Sequence, residues 1–166
     1  MKPINSRFRQ QGLTTVEFSL VGIVLFMVLF GLIEFGRLMF TWNVLDEATR
    51  RAARLAAVCP VSDESGGSQF ARDKGAFGGD MLLNFSKDNI AIEYLSQTGT
   101  VLGPPIATED TYYVRARVVN YSHQMIIPLV DIDPIAALDF STTLPAESLG
   151  VHPVAADPDQ DLCELK

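Results

Sequence analysis

Two residues are placed to take part in chemistry, Gly12 and Glu17, in the stretch Gln10-Gln11-Gly12-Leu13-Thr14-Thr15-Val16-Glu17-Phe18. The stretch joins a basic segment to a long apolar run. The chemistry it offers is that of a substrate. Glycine lets a backbone lie extended in a narrow protease cleft, so the bond after Gly12 is a candidate cleavage site. A cut there would leave an α-ammonium on Leu13, one helical turn from the Glu17 carboxylate. A charged side chain at mid-membrane costs about 2.5–3.5 kcal/mol on insertion scales. Glu17 stands near one end of the apolar run, where the cost is lower and the side chain can snorkel toward water. No base lies near it along the helix. The new ammonium, on the same chain or on a neighbouring subunit, would supply its counter-charge.

The rest of the chain offers no catalytic set. His123 and His152 are the only histidines and stand apart. There is no Ser/His/Asp arrangement, no phosphate loop and no pair of acids that spacing would bring to a cleft. Asp157-x-Asp159-x-Asp161 resembles the first half of a calcium loop, but Leu162 stands where such a loop needs glycine. A solvated acidic tail is the simpler reading. Neither an enzyme, a cofactor nor a metal is expected. The two cysteines, Cys59 and Cys163, lie at no metal-binding spacing. In an oxidising compartment a disulfide between them would tie the tail to the end of a helix.

The elements that must position Gly12 and Glu17 begin with an anchor. Residues 18–33 carry no charge, and counting from Leu13 the only one is Glu17. About 20 apolar residues span a hydrocarbon core. A cleavable secretory signal would have a shorter apolar core, and here the run continues through Glu34-Phe35-Gly36-Arg37 in a helical pattern. A retained anchor is therefore expected. Glu34 and Arg37 read as an i,i+3 pair at the membrane surface, with an intersubunit pair as the alternative. Lys2, Arg7 and Arg9 precede the anchor with no acid among them. Positive charge flanking a first span stays cytoplasmic, so the remainder would lie outside. That remainder holds ten of the thirteen Lys and Arg against all twenty Asp and Glu, a net of −10. Such a balance argues against nucleic acid as a partner.

Beyond Arg37 apolar residues recur at Leu38, Thr41/Trp42, Leu45, Ala48, Ala52 and Leu55/Ala56, a helical stripe. Trp42 reads as an interface-belt or packing residue. The other face carries Asp46, Glu47, Arg50, Arg51 and Arg54, with Asp46–Arg50 and Glu47–Arg51 spaced as i,i+4 pairs. The late arginines suit the helix dipole, and Pro60 marks the stop. Residues 13–58 are then one helix, about 69 Å long at 1.5 Å per residue. Its first half is apolar all round and its second half amphipathic. A Ser/Gly/Asp-rich loop is expected over residues 61–79, and a short helix over 81–85 capped by Asp80. Three alternating runs follow: Ile90, Ile92 and Tyr94; Val114, Ala116 and Val118; Leu138, Phe140 and Thr142. They read as half-buried strands, separated by Gly103-Pro104-Pro105 and by residues 128–134. The expected fold is α+β, a long N-terminal helix packed against a small antiparallel sheet. The organisation is a basic leader (1–12), a transmembrane half-helix (13–36), an amphipathic half-helix (37–59) and a globular domain with an acidic tail (60–166).

Gly12-Leu13-Thr14-Thr15-Val16-Glu17-Phe18 resembles the cleavage motif of type IV pilins and pseudopilins. Val16-Glu17-Phe18-Ser19-Leu20 and Phe30-Gly31-Leu32-Ile33-Glu34-Phe35-Gly36-Arg37 are similar to the TadE-like minor pilins of tight-adherence (Tad/Flp) systems, as are Asn43, Ala48 and Arg51-Ala52-Ala53-Arg54. Thr143-Leu144-Pro145-Ala146-Glu147-Ser148 is similar to that family's closing strand. Where many members carry a proline in the upper anchor, this chain has Gly22-Ile23. The resemblance implies a type IV pilin-like fold and cleavage between Gly12 and Leu13 by a membrane prepilin peptidase. It also implies N-methylation of Leu13 and a role for Glu17 in subunit docking. The implied partners are minor and major pilins, the pilus assembly platform and the lipid bilayer. The implied place is the bacterial inner membrane, as a single pass with a periplasmic or extracellular domain, or the pilus itself. The rival readings are a type II secretion minor pseudopilin and an uncleaved, signal-anchored periplasmic binding module.

Overall fold

The computed structural model describes residues 11–61, 68–125, 135–136, 139–149 and 163, with the backbone alone for 11–13 and 135–136. The leader bases Lys2, Arg7 and Arg9, the spacer at 128–134, Leu138, His152 and the Asp157-x-Asp159-x-Asp161 triplet lie outside these residues.

The chain opens with helix α1, Gln11–Val58. It takes in the expected start at Leu13 and ends two residues before Pro60. Two compact units are present, residues 1–39 with 125–133 and residues 40–124 with 134–166. In the first unit α1 is the described element. Val16, Phe18, Leu20, Val21, Ile23, Val24, Leu25, Phe26, Met27, Val28 and Leu29 are all exposed. This helix alone among the described ones is long and apolar enough to cross a membrane.

The second unit is built on the other half of α1. Val44, Leu45, Ala48, Thr49, Ala52, Ala53, Ala56 and Ala57 are buried, at alternating steps of three and one along one face. Asp46, Glu47, Arg50, Arg51 and Arg54 lie off that face. Asp46 pairs with Arg50 at 2.8 Å. The expected Glu47–Arg51 pair does not form; the Arg51 guanidinium lies 5.2 Å from the centre of the Phe77 ring. A ring face attracts a cation without binding a carboxylate in place. The last turn of α1 carries no base, so the arginines sit too early to act on its terminal carbonyls. Those carbonyls are met by the chain's C-terminal part. Ala57 O accepts from the N–H groups of Glu147 and Leu149 at 3.2 and 3.3 Å, and Val58 O accepts from Ser148 Oγ at 3.3 Å.

Against α1 lies an antiparallel sheet of β1 (Ile90–Leu95), β2 (Tyr113–Val118) and β5 (Ser141–Pro145), in the order β1-β2-β5. Ile90 faces Val118, Ile92 faces Ala116 and Tyr94 faces Val114 across the first pair. All six are buried with the alanines of α1 in one core. The inward positions of the first two strands are those the alternation marks. The third starts later than expected: Asp139 and Phe140 precede the strand, and Phe140 and Leu144 pack on the core. A separate two-stranded ribbon pairs β3 (Ser122–His123) with β4 (Ile135–Ala136).

The expected loop and short helix change places. Helix α2 forms at Gln69–Gly75, with Ser68 Oγ accepting from Ala71 N–H as its cap. A 3₁₀ turn, Phe77–Gly79, follows, with Gly78 and Gly79 in the left-handed region. The expected helix at 81–85 is absent. Asp80 closes the preceding turn instead of opening a helix, and Asn84 at φ 59 is incompatible with one. Phe85 instead turns inward and meets Tyr121 edge-on, at 5.5 Å between ring centres.

Two consequences can be measured. A Cβ on Gly75 would lie 2.7 Å from Ala52 Cβ and 3.1 Å from its Cα, so neither side can give way. Gly75→Ala should lower stability by about 1–3 kcal/mol in urea unfolding; an unchanged midpoint would show that α2 does not sit this close. Burial also pushes the Tyr94 phenol up to about 12, with the Ser68 backbone N–H opposing the rise. That amide makes no well-formed hydrogen bond to the Tyr94 oxygen. Below pH 10 the phenol is neutral in both folded and unfolded chains. Between 10 and 12 the unfolded chain releases the proton and the folded one retains it. Stability should therefore fall through this window, by on the order of 3 kcal/mol. Tyr94→Phe should flatten that part of the pH profile and cost little below pH 10, because the hydroxyl it removes is poorly satisfied.

Candidate processing and assembly site

Gly12 and Leu13 lie in the first described turn of α1. Glycine holds a helix about 1 kcal/mol less well than alanine. Opening the helix at Gly12 to an extended conformation therefore costs less than it would at an alanine. Glu17 follows Leu13 by four residues, a rise of about 6 Å, on the same side of the helix. Glu17 is exposed, as are Val16 and Phe18 beside it. Its carboxylate thus stands on an open apolar helix, reachable by an ammonium on its own chain or on another.

The surface that follows Glu17 is shaped by residue size. Phe18, Gly22, Phe26 and Phe30 succeed one another at four-residue steps and, with Ser19, Ile23 and Met27, line a shallow groove. Gly22 contributes no side chain to it, and an added Cβ there would meet nothing within 4 Å. Phe26 and Phe30 stack at 5.9 Å. Ser19 Oγ donates to Thr15 O at 2.7 Å, which satisfies a hydroxyl that would otherwise meet hydrocarbon.

Farther along α1, Glu34 is 8% exposed and accepts from Arg37 Nη1 at 2.5 Å. The i,i+3 geometry keeps both charges on one stretch of one helix. Thr41 and His123 meet in the second unit, Oγ1 to Nδ1 at 3.3 Å, both buried. Thr49 Oγ1 lies 3.0 Å from Thr142 Oγ1 and donates to Asp46 O. These contacts tie α1 to β3 and β5. Nothing in the alternation of the strands marks them, because they need the tertiary register. His123 has this packing role, and among the described residues no cluster of His, Cys, Asp or Glu could hold a metal ion. Trp42 is half-buried.

Cys59 and Cys163 form a disulfide across 104 positions of sequence, with Cα atoms 5.7 Å apart. It joins the residue after α1 to the end of the chain's acidic part. A loop of this size is worth at most about 4–5 kcal/mol in the chain-entropy model. Replacing both cysteines by serine should lower the unfolding free energy measured in urea by up to that amount, and the unfolded, unreduced wild type should show no free thiol. A full complement of thiols, or an unmoved midpoint, would contradict the bond.

Sequence reasoning also passed over Glu93, Arg115 and Arg117. Glu93 Oε2 accepts from Arg115 Nε at 2.8 Å and from its Nη2, and Oε1 forms an ion pair with Arg117, whose Nε lies 2.8 Å away. The alternation that reveals the inward face of β2 puts both arginines on the outward one, where the cross-strand acid could have been sought.

Residues 12–54 match the family model described as TadE-like protein. No curated protein and no solved structure matches the chain. The match starts at the glycine of the candidate cleavage site, takes in Glu17, Glu34 and Arg37, and runs to Arg54. Across the helix that carries the site, over residues 12–54, this chain is similar to TadE-like proteins.

Proposed function

We propose that the chain is a minor pilin, or pseudopilin, of a Tad-type pilus, and that it works by assembly, with no chemistry of its own. The observation that carries the reading is the order Gly12, Leu13, Glu17 at the head of an exposed apolar helix, inside the TadE-like match. A membrane prepilin peptidase cuts between Gly12 and Leu13, after the first turn of α1 opens into its cleft. The new Leu13 amine, a candidate for N-methylation, then carries the positive charge that Glu17 lacks.

Docking follows from that charge. Glu17 pairs with the terminal ammonium of an adjoining pilin, and two charges that would each be costly in hydrocarbon leave it together. The side chains around the Gly22 groove exchange lipid contacts for helix contacts. That exchange is nearly neutral in hydrophobic terms, so packing and the ion pair set the register. Lys2, Arg7 and Arg9 hold the leader on the cytoplasmic side of the inner membrane, and the acidic domain beyond Pro60 faces the periplasm or the exterior. The partners are other minor and major pilins and the assembly platform. The outcome is initiation or assembly of a pilus for surface adherence.

The test is N-terminal sequencing of the protein purified from its native host. Recovery of Leu13 as the first residue is the expected result; a functional protein that retains Met1 would overturn the reading. Glu17→Ala should leave cleavage largely intact yet abolish co-purification with partner pilins and block pilus formation. Normal pili in that variant would remove the pairing role.

A further inference from the structure

The sheet has one edge and one face that the core does not use, and they adjoin. Phe140, Thr142 and Leu144 direct their backbone groups toward β2, shown by Val118 N–H donating to Phe140 O at 2.9 Å and by the register Ala116–Thr142 and Val114–Leu144. Strand geometry then turns the N–H and C=O groups of Ser141 and Thr143 away from β2. They point off the edge of the sheet, since β5 is its last strand among the described residues. Ser141, Thr143 and Pro145 are exposed. An edge of this kind is a template for another strand. Pro145 limits it to the two positions before it, because proline has no N–H to donate.

The outward face beside that edge is basic on an acidic protein. Tyr113, Arg115 and Arg117 stand at alternate positions of β2, opposite Pro145, Thr143 and Ser141 of β5. Tyr113 and Arg117 are exposed and Arg115 is partly so. Glu93 is shared by both guanidiniums, so the group keeps a positive charge. Arg117 touches Glu93 through Nε, and its two Nη groups make no hydrogen bond among the described residues. Between the arginines and the open edge lie small hydroxyl side chains, over which a guanidinium can reach. Alternate residues in a strand repeat every 6.4–6.8 Å or so, and a carboxylate matches the fork of an arginine.

We infer that β5 accepts an extended acidic segment of a partner protein as a fourth strand, recognised by main-chain bonds to Ser141 and Thr143 and by carboxylates at alternate positions that reach Arg115 and Arg117. The inference goes beyond the pilin reading and does not rest on it. β-Strand addition draws affinity from the main chain and specificity from alternate side chains. Here the alternate side chains are selected by sign.

The test uses the full chain in detergent micelles and a fluorescent heptapeptide, Thr-Glu-Val-Glu-Val-Glu-Thr, read by anisotropy. A second peptide with lysine at each glutamate position is the control. The acidic peptide should bind and the lysine peptide should not, and binding should weaken as salt rises. Arg117→Gln should weaken binding about fivefold, the worth of a rim ion pair. Thr143→Pro should weaken it tenfold or more, because it removes the outward N–H without taking a bond from β2; Ser141→Pro serves as a second edge variant if the first fails to fold. Equal binding of both peptides, or no binding at millimolar peptide, would overturn the proposal. So would binding that survives both proline variants, which would mean capture by charge alone.

Discussion

The packing of an alanine-rich helix face in one core with the sheet is the constraint on which the second unit depends. Ala48, Ala52, Ala53, Ala56 and Ala57 put almost no side chain between the α1 backbone and its neighbours. Larger residues come from the other side: Ile90, Ile92, Tyr94 and Val114 from the sheet and Phe85 from the turn before it. Interiors tolerate neither voids nor overlap, so small residues on one wall oblige large ones on the other. Gly75 extends the same rule to α2, whose backbone meets Ala52 where no methyl group would fit. Alanine also holds a helix better than any other residue. The face that must stay thin is therefore also the one that keeps α1 helical.

The two halves of α1 meet opposite demands with one secondary structure. A helix satisfies its own backbone, the condition for entering a bilayer, and it also offers a single face to a sheet. In the first half the side chains are apolar in all directions; in the second they are sorted. Glu34 and Arg37 stand between the two regimes and answer one another's charge across one turn. Glu17 has no such neighbour in sequence. This contrast separates a residue that completes its pairing locally from one that, on the proposed reading, gains its partner only after cleavage.

Much of this was legible in the sequence because it depends on local period. The stripe from Leu45 to Ala56 and the alternation at Ile90, Ile92 and Tyr94 and at Val114, Ala116 and Val118 mark the faces that the fold buries. The errors fall where backbone conformation outweighs composition. Residues 81–85 look helical, but Asn84 takes a left-handed conformation and the segment turns. Residues 69–75 sit in a stretch rich in glycine and serine, yet Ser68 supplies a cap and α2 forms. Ser68 was the available signal. Contacts such as Thr41–His123 and Thr49–Thr142 join residues 82 and 93 positions apart and have no local signature. The candidate site was legible for another reason: its residues are consecutive, and its chemistry depends on order along the chain more than on tertiary placement.

The end of α1 collects unusually many ties to distant sequence. Ala57 and Val58 bond residues 147–149, and Cys59 is joined covalently to Cys163. Considered mechanically, these ties form a load path. Tension carried along the helix reaches the C-terminal segment directly and, through Ala146 N–H on Tyr112 O, the central strand of the sheet. It bypasses the loop that follows Pro60. The last hydrogen bonds of the helix can rupture while the sulfur bridge still holds. A pulled domain would then lengthen by a short, fixed amount without coming apart.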